Sequence, residues 1–184
     1  MGRYTGPVCR LARREGVNLF IKGIRSDKCL SKRPQPPGMH PWSRPKTEYA
    51  RQLREKQKLK RYYGIMEKQF RKTYKEADRL RGDTGENLII LLERRLDNVV
   101  RRLGMGLTTA QARQFIVHGH LQVNGKKVDR PSFRVKTGDV ITPVNKEKSQ
   151  KLIKTYLEIE TDVFCPSWLS INVEEMRGQV LETP

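Results

Sequence analysis

From Thr47 onward the apolar positions recur every three or four residues, the spacing of one helix face, and past His120 they alternate as in a strand. Thr47 is placed to cap a helix carrying Tyr49, Ala50, Leu53 and Tyr62, with Gly64 ending it. Met66, Phe70, Tyr74, Ala77 and Leu80 form a second stripe, closed by Gly82. Asp83-Thr84-Gly85-Glu86 has the form of a capping box with Asp in the cap position. It opens one long helix with Leu88, Leu91, Leu92, Leu96, Val99, Val100 and Leu103 on a single face, ending at Gly104. Thr108 with Gln111 caps a shorter helix bearing Ala112, Phe115 and Ile116, which stops at Gly119.

The period then becomes two. Leu121 and Val123 alternate ahead of Asn124-Gly125, the strongest two-residue hairpin signal, and Val128 begins the return. Phe133 and Val135 alternate next, Thr137-Gly138 turns the chain, and Val140-Ile141 form a further strand. Leu152, Ile153, Tyr156 and Leu157 mark a helix over 149–157. Trp168 to Asn172 alternates once more, before a final turn capped over Asn172 to Glu175.

Nothing comparable precedes Thr47. Residues 1–30 scatter Leu11, Val17, Leu19, Phe20 and Ile21 among basic residues with no long period. Residues 31–45 are Pro-rich, which forbids a helix and leaves little to bury. The pattern predicts an α+β chain in three parts: a basic extended arm with its link (1–45), a mainly helical domain (46–92), and a module of two helices and a small β-sheet (93–157). The segment 158–184 is assigned to completing the helical domain. Deleting residues 1–41 should remove no capped helix and no hairpin.

Charge then selects the partner. The 184 residues hold 38 Lys+Arg against 20 Asp+Glu, a net +18, and such an excess implies a polyanion. Residues 1–61 contain 17 basic and 4 acidic residues, so the arm and first helix carry +13 of that charge. An anionic membrane would need a strongly apolar helix face beside the basic residues, and the arm has none. The longest apolar run, Leu88 to Leu92, is far too short to span a bilayer, and no signal pattern opens the chain. Nucleic acid is the better reading, in the cytoplasm or an equivalent compartment.

Cys9, Cys29 and Cys165 are odd in number and widely spaced, so they read as separate thiols in a reducing compartment rather than a disulfide framework. A zinc site from Cys9, Cys29 and His40 lacks a fourth ligand and close pairs, so no metal and no cofactor are expected.

The long helix sets Arg94, Arg95, Arg101 and Arg102 around its apolar stripe, and the next helix begins at Thr108 with Gln111 and Arg113. A helix start presents free N–H groups and partial positive charge, which suit a phosphate. His118, His120, Lys126 and Lys127 add to the same compact face. A bare solvated basic surface is the alternative, which the clustering and the total charge disfavour.

These residues form a known pattern. Arg95-Leu96-Asp97, Arg102-Leu103-Gly104, Thr108-Thr109-Ala110-Gln111-Ala112-Arg113, Ile116, His118-Gly119-His120 and Val123-Asn124-Gly125 resemble the small RNA-binding module named after ribosomal protein S-four. That module also occurs in some tRNA synthetases, pseudouridine synthases and a heat-shock RNA binder. The flanks narrow the choice. Arg3-Tyr4 with Gly6-Pro7, Arg13-Arg14-Glu15-Gly16, Gln52 to Lys58, Tyr63-Gly64, Gln69-Phe70, Thr84 to Leu88, and Pro166 with Trp168-Leu169 are similar to the bacterial-type S-four family over nearly the whole chain.

The resemblance implies a structural protein of the small ribosomal subunit that binds 16S-type rRNA early in assembly of the 5′ domain. It further implies a border on the channel through which mRNA enters, and a contact with ribosomal protein S-five that tunes decoding accuracy. Arg44 and Lys46 stand where relatives place basic residues at that channel, although Pro41-Trp42-Ser43 departs from the usual Gly-Ala pattern. Some relatives hold zinc with four N-terminal cysteines, whereas Ala12 stands here where a second ligand would be. The candidate RNA contacts in the arm are Arg3, Arg10, Arg13, Arg14, Lys22, Arg33, Arg44 and Lys46. In the helical domain they are Arg51, Arg54, Lys58, Arg61 and Arg71, and in the module Arg95, Arg101, Arg102, Thr108, Gln111, Arg113, His118, His120, Lys126 and Lys127. An RNA-modifying enzyme built on the same module would need a placed nucleophile or carboxylate. No such constellation is visible, and Asp97 reads as a partner for a nearby Arg, so no catalytic residue is expected. A free regulatory RNA binder is the third reading.

Overall fold

The computed structural model describes residues 4–19, 28–39, 47–159 and 165–184. The chain divides into two compact units, Met1–Lys72 and Thr73–Pro184. None of the described helices is long and apolar enough to cross a membrane.

The first unit holds α1 (Val8–Glu15), α2 (Lys28–Lys32), α3 (Glu48–Tyr62) and the start of α4 (Glu67–Ala77). The arm's described residues therefore contain two helices that the sequence pattern did not predict, and α2 runs over Ser31 and Lys32 into the Pro-rich stretch, where a helix was not expected. Eight residues show too few turns for a period, and α1 is held instead by packing on α2 and α3, with Ala12 buried. Thr47 caps α3 as expected, its hydroxyl accepting from the Ala50 amide at 3.3 Å. Yet α3 buries none of its residues, and Tyr49 is exposed. Along α4 the buried positions are Phe70, Thr73 and Ala77, while Met66, Tyr74 and Leu80 of the predicted stripe face solvent. Phe70 and Ala77 belong to the predicted stripe, so packing kept its middle and turned Thr73 inward in place of Tyr74.

The second unit is built on α5 (Thr84–Glu93), α6 (Leu96–Arg102), α7 (Thr109–Val117), α8 (Glu147–Glu158) and one antiparallel sheet. Its strands are β1 (Leu121–Val123), β2 (Lys126–Lys127), β3 (Val140–Pro143), β4 (Leu169–Asn172) and β5 (Arg177–Val180), in the order β2-β1-β3-β5-β4. Leu96, Val99, Val100, Leu103, Phe115, Ile116, Leu121, Ile141 and Ile153 form a single core with Trp168 and Val180. Asp83 opens α5 as expected, its carboxylate accepting from the Glu86 amide at 2.9 Å.

The single long helix predicted over 85–103 is two helices. Arg95 is extended (φ −70°, ψ 135°), and the segment around Pro131–Val135 crosses at the break. The Leu96 amide donates to Phe133 O at 2.8 Å, Asp97 N to Pro131 O at 3.2 Å, and Val135 N to Arg94 O at 2.9 Å. Acceptors 37 and 34 residues along the chain thus satisfy the amides that open α6, which no local pattern reveals. The predicted strand at Phe133 and Val135 reduces to an isolated bridge between Arg95 and Arg134, with Val135 buried and Phe133 exposed.

The C-terminal segment also departs from expectation. It does not complete a helical domain: β5 pairs with β3 through Val140–Gln179 and Ile141–Gly178, so β4 and β5 extend the module's own sheet. Asn172 does cap the turn before β5, accepting from the Glu174 and Glu175 amides at 3.1 and 3.2 Å. The β5 sequence, Arg-Gly-Gln-Val, lacks an apolar alternation, because Gly178 must be bare. A Cβ there would lie 2.4 Å from Leu103 Cδ1, so the strand fits against α6 only as glycine.

Candidate RNA interface

Helix α7 starts as its sequence requires. The Thr108 hydroxyl accepts from the Gln111 amide at 3.2 Å, while the Gln111 side-chain carbonyl turns back to the Leu107 amide at 3.0 Å. By helix geometry the amides of Thr109 and Ala110 have no acceptor within α7, which leaves them for an outside anion.

The arginines expected beside this helix start do not stand free around it. Arg95 is buried, and its guanidinium is closed on Asp97 at 3.0 and 2.7 Å, so it is withdrawn as an RNA contact. Arg113 is half buried, and desolvation lowers its pKa before the nearby Asp97 raises it and Arg95 lowers it. It therefore sits beside the internal pair and not on the outer, polar face of α7. Arg102 reaches back to the buried Glu93, with Nη2 at 2.8 Å and Nε at 3.3 Å. Arg101 donates to Asn98 Oδ1 at 3.3 Å, and Asn98 in turn donates to Glu93. Both keep some exposure while supporting the fold.

The exposed charge lies at the other end of α7. His118, Lys126 and Lys127 are all exposed, and Lys127 lies over Gly119, where a Cβ would be 2.0 Å from its Cε. Gly119 has φ 68°, so the turn from α7 into β1 favours glycine, while the flexible end of Lys127 can move aside. The His118 and His120 rings are 6.1 Å apart, and His120 Nδ1 meets Ser149 Oγ at 2.9 Å. Burial lowers the His120 pKa, and the charges of His118, Lys127 and Lys146 lower it further. All three of these neighbours are basic residues. Lys146 and its exposed neighbour Lys148 were not singled out from the sequence. Lys146 joins the patch because the Val144 amide donates to His120 O at 2.8 Å, a pairing that β1–β3 register creates.

In the first unit Arg10, Arg14 and Arg33 are exposed, and Arg13 Nε donates to Gln35 O at 2.9 Å. Arg51 pairs with Glu48, Lys58 with Glu55, and Arg71 with Glu67, all at helical spacing. Arg54 and Arg61 both converge on Glu15. Arg3, Lys22, Arg44 and Lys46 lie outside the described residues, as does His40. Among the described residues no three His, Cys, Asp or Glu side chains gather as a metal site. Cys9 is disulfide-bonded, which corrects the reading of three separate thiols and removes the thiolate a metal would need. Cys165 is a free thiol whose pKa burial raises.

A capped helix start, a hairpin bearing exposed lysines and a cluster of basic side chains beside His120 are the features of a nucleic-acid-binding module. Comparison with known proteins makes the class specific. Residues 3–93 match the family described as "Ribosomal protein S4/S9 N-terminal domain", and residues 94–141 match the "S4 domain". The chain is 55% identical to "Small ribosomal subunit protein uS4" of Thermoanaerobacter sp. (strain X514), covering 100% of this chain and 90% of that protein. The proteins of the same name in Halothermothrix orenii and Thermodesulfovibrio yellowstonii are 51% and 48% identical over the same shares. The chain belongs to the uS4 family.

Proposed function

We infer that this protein is a structural component of the small ribosomal subunit that binds its rRNA, in the cytoplasm, and is not an enzyme. The observation that carries the reading is the patch around His118, His120, Lys127 and Lys146, where exposed basic side chains gather beside the His120 ring. Like charges gathered this closely repel one another, and a line of phosphates relieves that repulsion. The protein engages 16S-type rRNA at a multi-helix junction of the 5′ domain and nucleates assembly there. It reads shape, phosphate and 2′-OH groups more than base edges. The same reading places the arm beside the channel through which mRNA enters, with Arg44 and Lys46 at its rim, and a face of the protein against ribosomal protein S-five, where it affects translational accuracy.

RNA contact is assigned to exposed Lys126, Lys127, His118, Arg10, Arg14 and Arg33, to the helix start at Thr108, and to the partly exposed Arg54, Arg61, Arg101 and Arg102. Sedimentation through sucrose gradients tests the reading. The protein should travel with the small subunit and remain there in high salt. Its appearance at the top of the gradient would show instead a free RNA binder.

A further inference from the structure

Glu15 has no place in a phosphate-binding surface. It ends α1 in the more basic part of the chain, and its side chain is fully buried. Oε1 accepts from Arg54 Nη1 at 3.2 Å and from Arg61 Nη1, while Oε2 is buried with no hydrogen-bond partner. Residues seven apart share a helix face, so both arginines project from the same side of α3. A buried carboxylate with an open oxygen is a costly way to join two helices when apolar side chains would serve.

What the arrangement achieves is orientation. A guanidinium carries five N–H donors in a rigid plane. Each arginine turns an Nη1 toward Glu15, and their side chains keep 23% and 20% exposure. Their outward edges are thereby held in a fixed geometry, with Lys58 between them on the same face. We propose that Glu15 is a positioning residue for RNA binding, setting Arg54 and Arg61 as a fork for consecutive phosphates. The proposal rests on the rRNA-binding reading above.

The sign of one substitution separates this role from a bystander. Glu15→Gln removes a negative charge, so a carboxylate that merely sits near RNA would, once removed, leave tighter binding. A positioning carboxylate predicts weaker binding. The full chain is titrated with a transcript of the 16S-type 5′ domain at several salt concentrations, with thermal melts giving the folded fraction. Glu15→Gln should weaken binding about tenfold, the worth of one charge-assisted contact. It should also lower the slope of log K against log salt by roughly 0.7 to 1.8, one or two phosphates. Added to Arg54→Ala with Arg61→Ala, it should cause no further loss. The double variant Arg54→Lys with Arg61→Lys keeps both charges but loses the forks, and should weaken binding as well. Equal or tighter binding by folded Glu15→Gln, or a further loss in the double-alanine background, overturns the proposal. Should Glu15→Gln fail to fold, the double-lysine variant decides, and unchanged affinity and slope there overturn it. Wild-type protein that ignores the transcript would sink the rRNA reading itself, and this proposal with it.

Discussion

Arg95 and Asp97 close a two-point ion pair inside the second unit, Nε to Oδ1 at 3.0 Å and Nη2 to Oδ2 at 2.7 Å. The side chains are 4% and 1% exposed, so neither charge is shared with solvent. Asp97 Oδ1 also accepts from the Asn98 amide at 3.1 Å, which places the pair at the break between α5 and α6. The sequence presents Arg95 as one more cation on a basic face. The fold uses it to hold the start of α6 and to neutralise a buried carboxylate.

Asp97→Asn should therefore act on stability. Removing one partner of a buried pair leaves the other charge uncompensated and costs about 3–5 kcal/mol. Thermal melts should fall by several degrees per variant, while RNA affinity of the folded fraction stays near wild type. A melt unchanged by Asp97→Asn would show that the pair contributes no net stability.

Arg102→Ala should be costly to stability. The guanidinium satisfies buried Glu93 through two hydrogen bonds, so its loss leaves that carboxylate short of its cation, at about 1–3 kcal/mol. Glu93→Gln combined with Arg102→Ala should recover much of that loss, because the stranded charge is gone. A double variant as unstable as the single one would contradict this account.

Lys126→Ala and Lys127→Ala should leave melting unaltered, since both residues are exposed on a two-residue strand. If each meets a duplex phosphate, each substitution lowers the salt slope of rRNA binding by about 0.9. The slope, read over a range of potassium concentrations, separates phosphate contact from lost packing.

Phe115→Ala should show the opposite profile. The ring is 6% exposed and lies 5.5 Å from Tyr156 and 6.1 Å from His120, so truncation opens a cavity worth about 3–5 kcal/mol. Melting should drop steeply, and affinity of the surviving folded protein should change little.

Glu67 offers a test by pH. Hydrogen bonds from Lys56, then Lys60, pull its carboxyl from 4.5 down to about 2. A depressed carboxyl contributes stability in full above its unfolded pKa and loses it as pH falls through the folded one, here between about 4.5 and 2. The side chain is about a third exposed, so the effect on melting is small and NMR titration is the better probe. Lys56→Met with Lys60→Met should return the midpoint toward 4.5.

Much of this protein is legible in its amino-acid order. Caps at Thr47, Asp83 and Thr108 act within three residues, so their hydrogen bonds form as soon as the local turn does. The Asn124-Gly125 hairpin is equally local, with both residues at positive φ and β1 paired to β2. The net +18 is a property of composition, and it pointed to a polyanion without any fold. Apolar spacing marked the module's core, from Leu96 and Val99 to Ile141 and Ile153.

What spacing could not decide is what long-range partners decide. The break at Arg95 exists because the Pro131–Val135 segment supplies acceptors to the amides of Leu96 and Asp97. Strand β5 exists because Gly178 lets Leu103 approach, and its polar sequence carries no sign of a partner in β3. The fate of each arginine follows the same rule. A guanidinium reads identically in sequence whether it meets solvent or a buried carboxylate, and only tertiary contact set Arg95 on Asp97, Arg102 on Glu93, and Arg54 with Arg61 on Glu15. Local hydrogen bonds and total charge are written residue by residue, but the partner of a long, flexible cation is chosen only when distant segments meet.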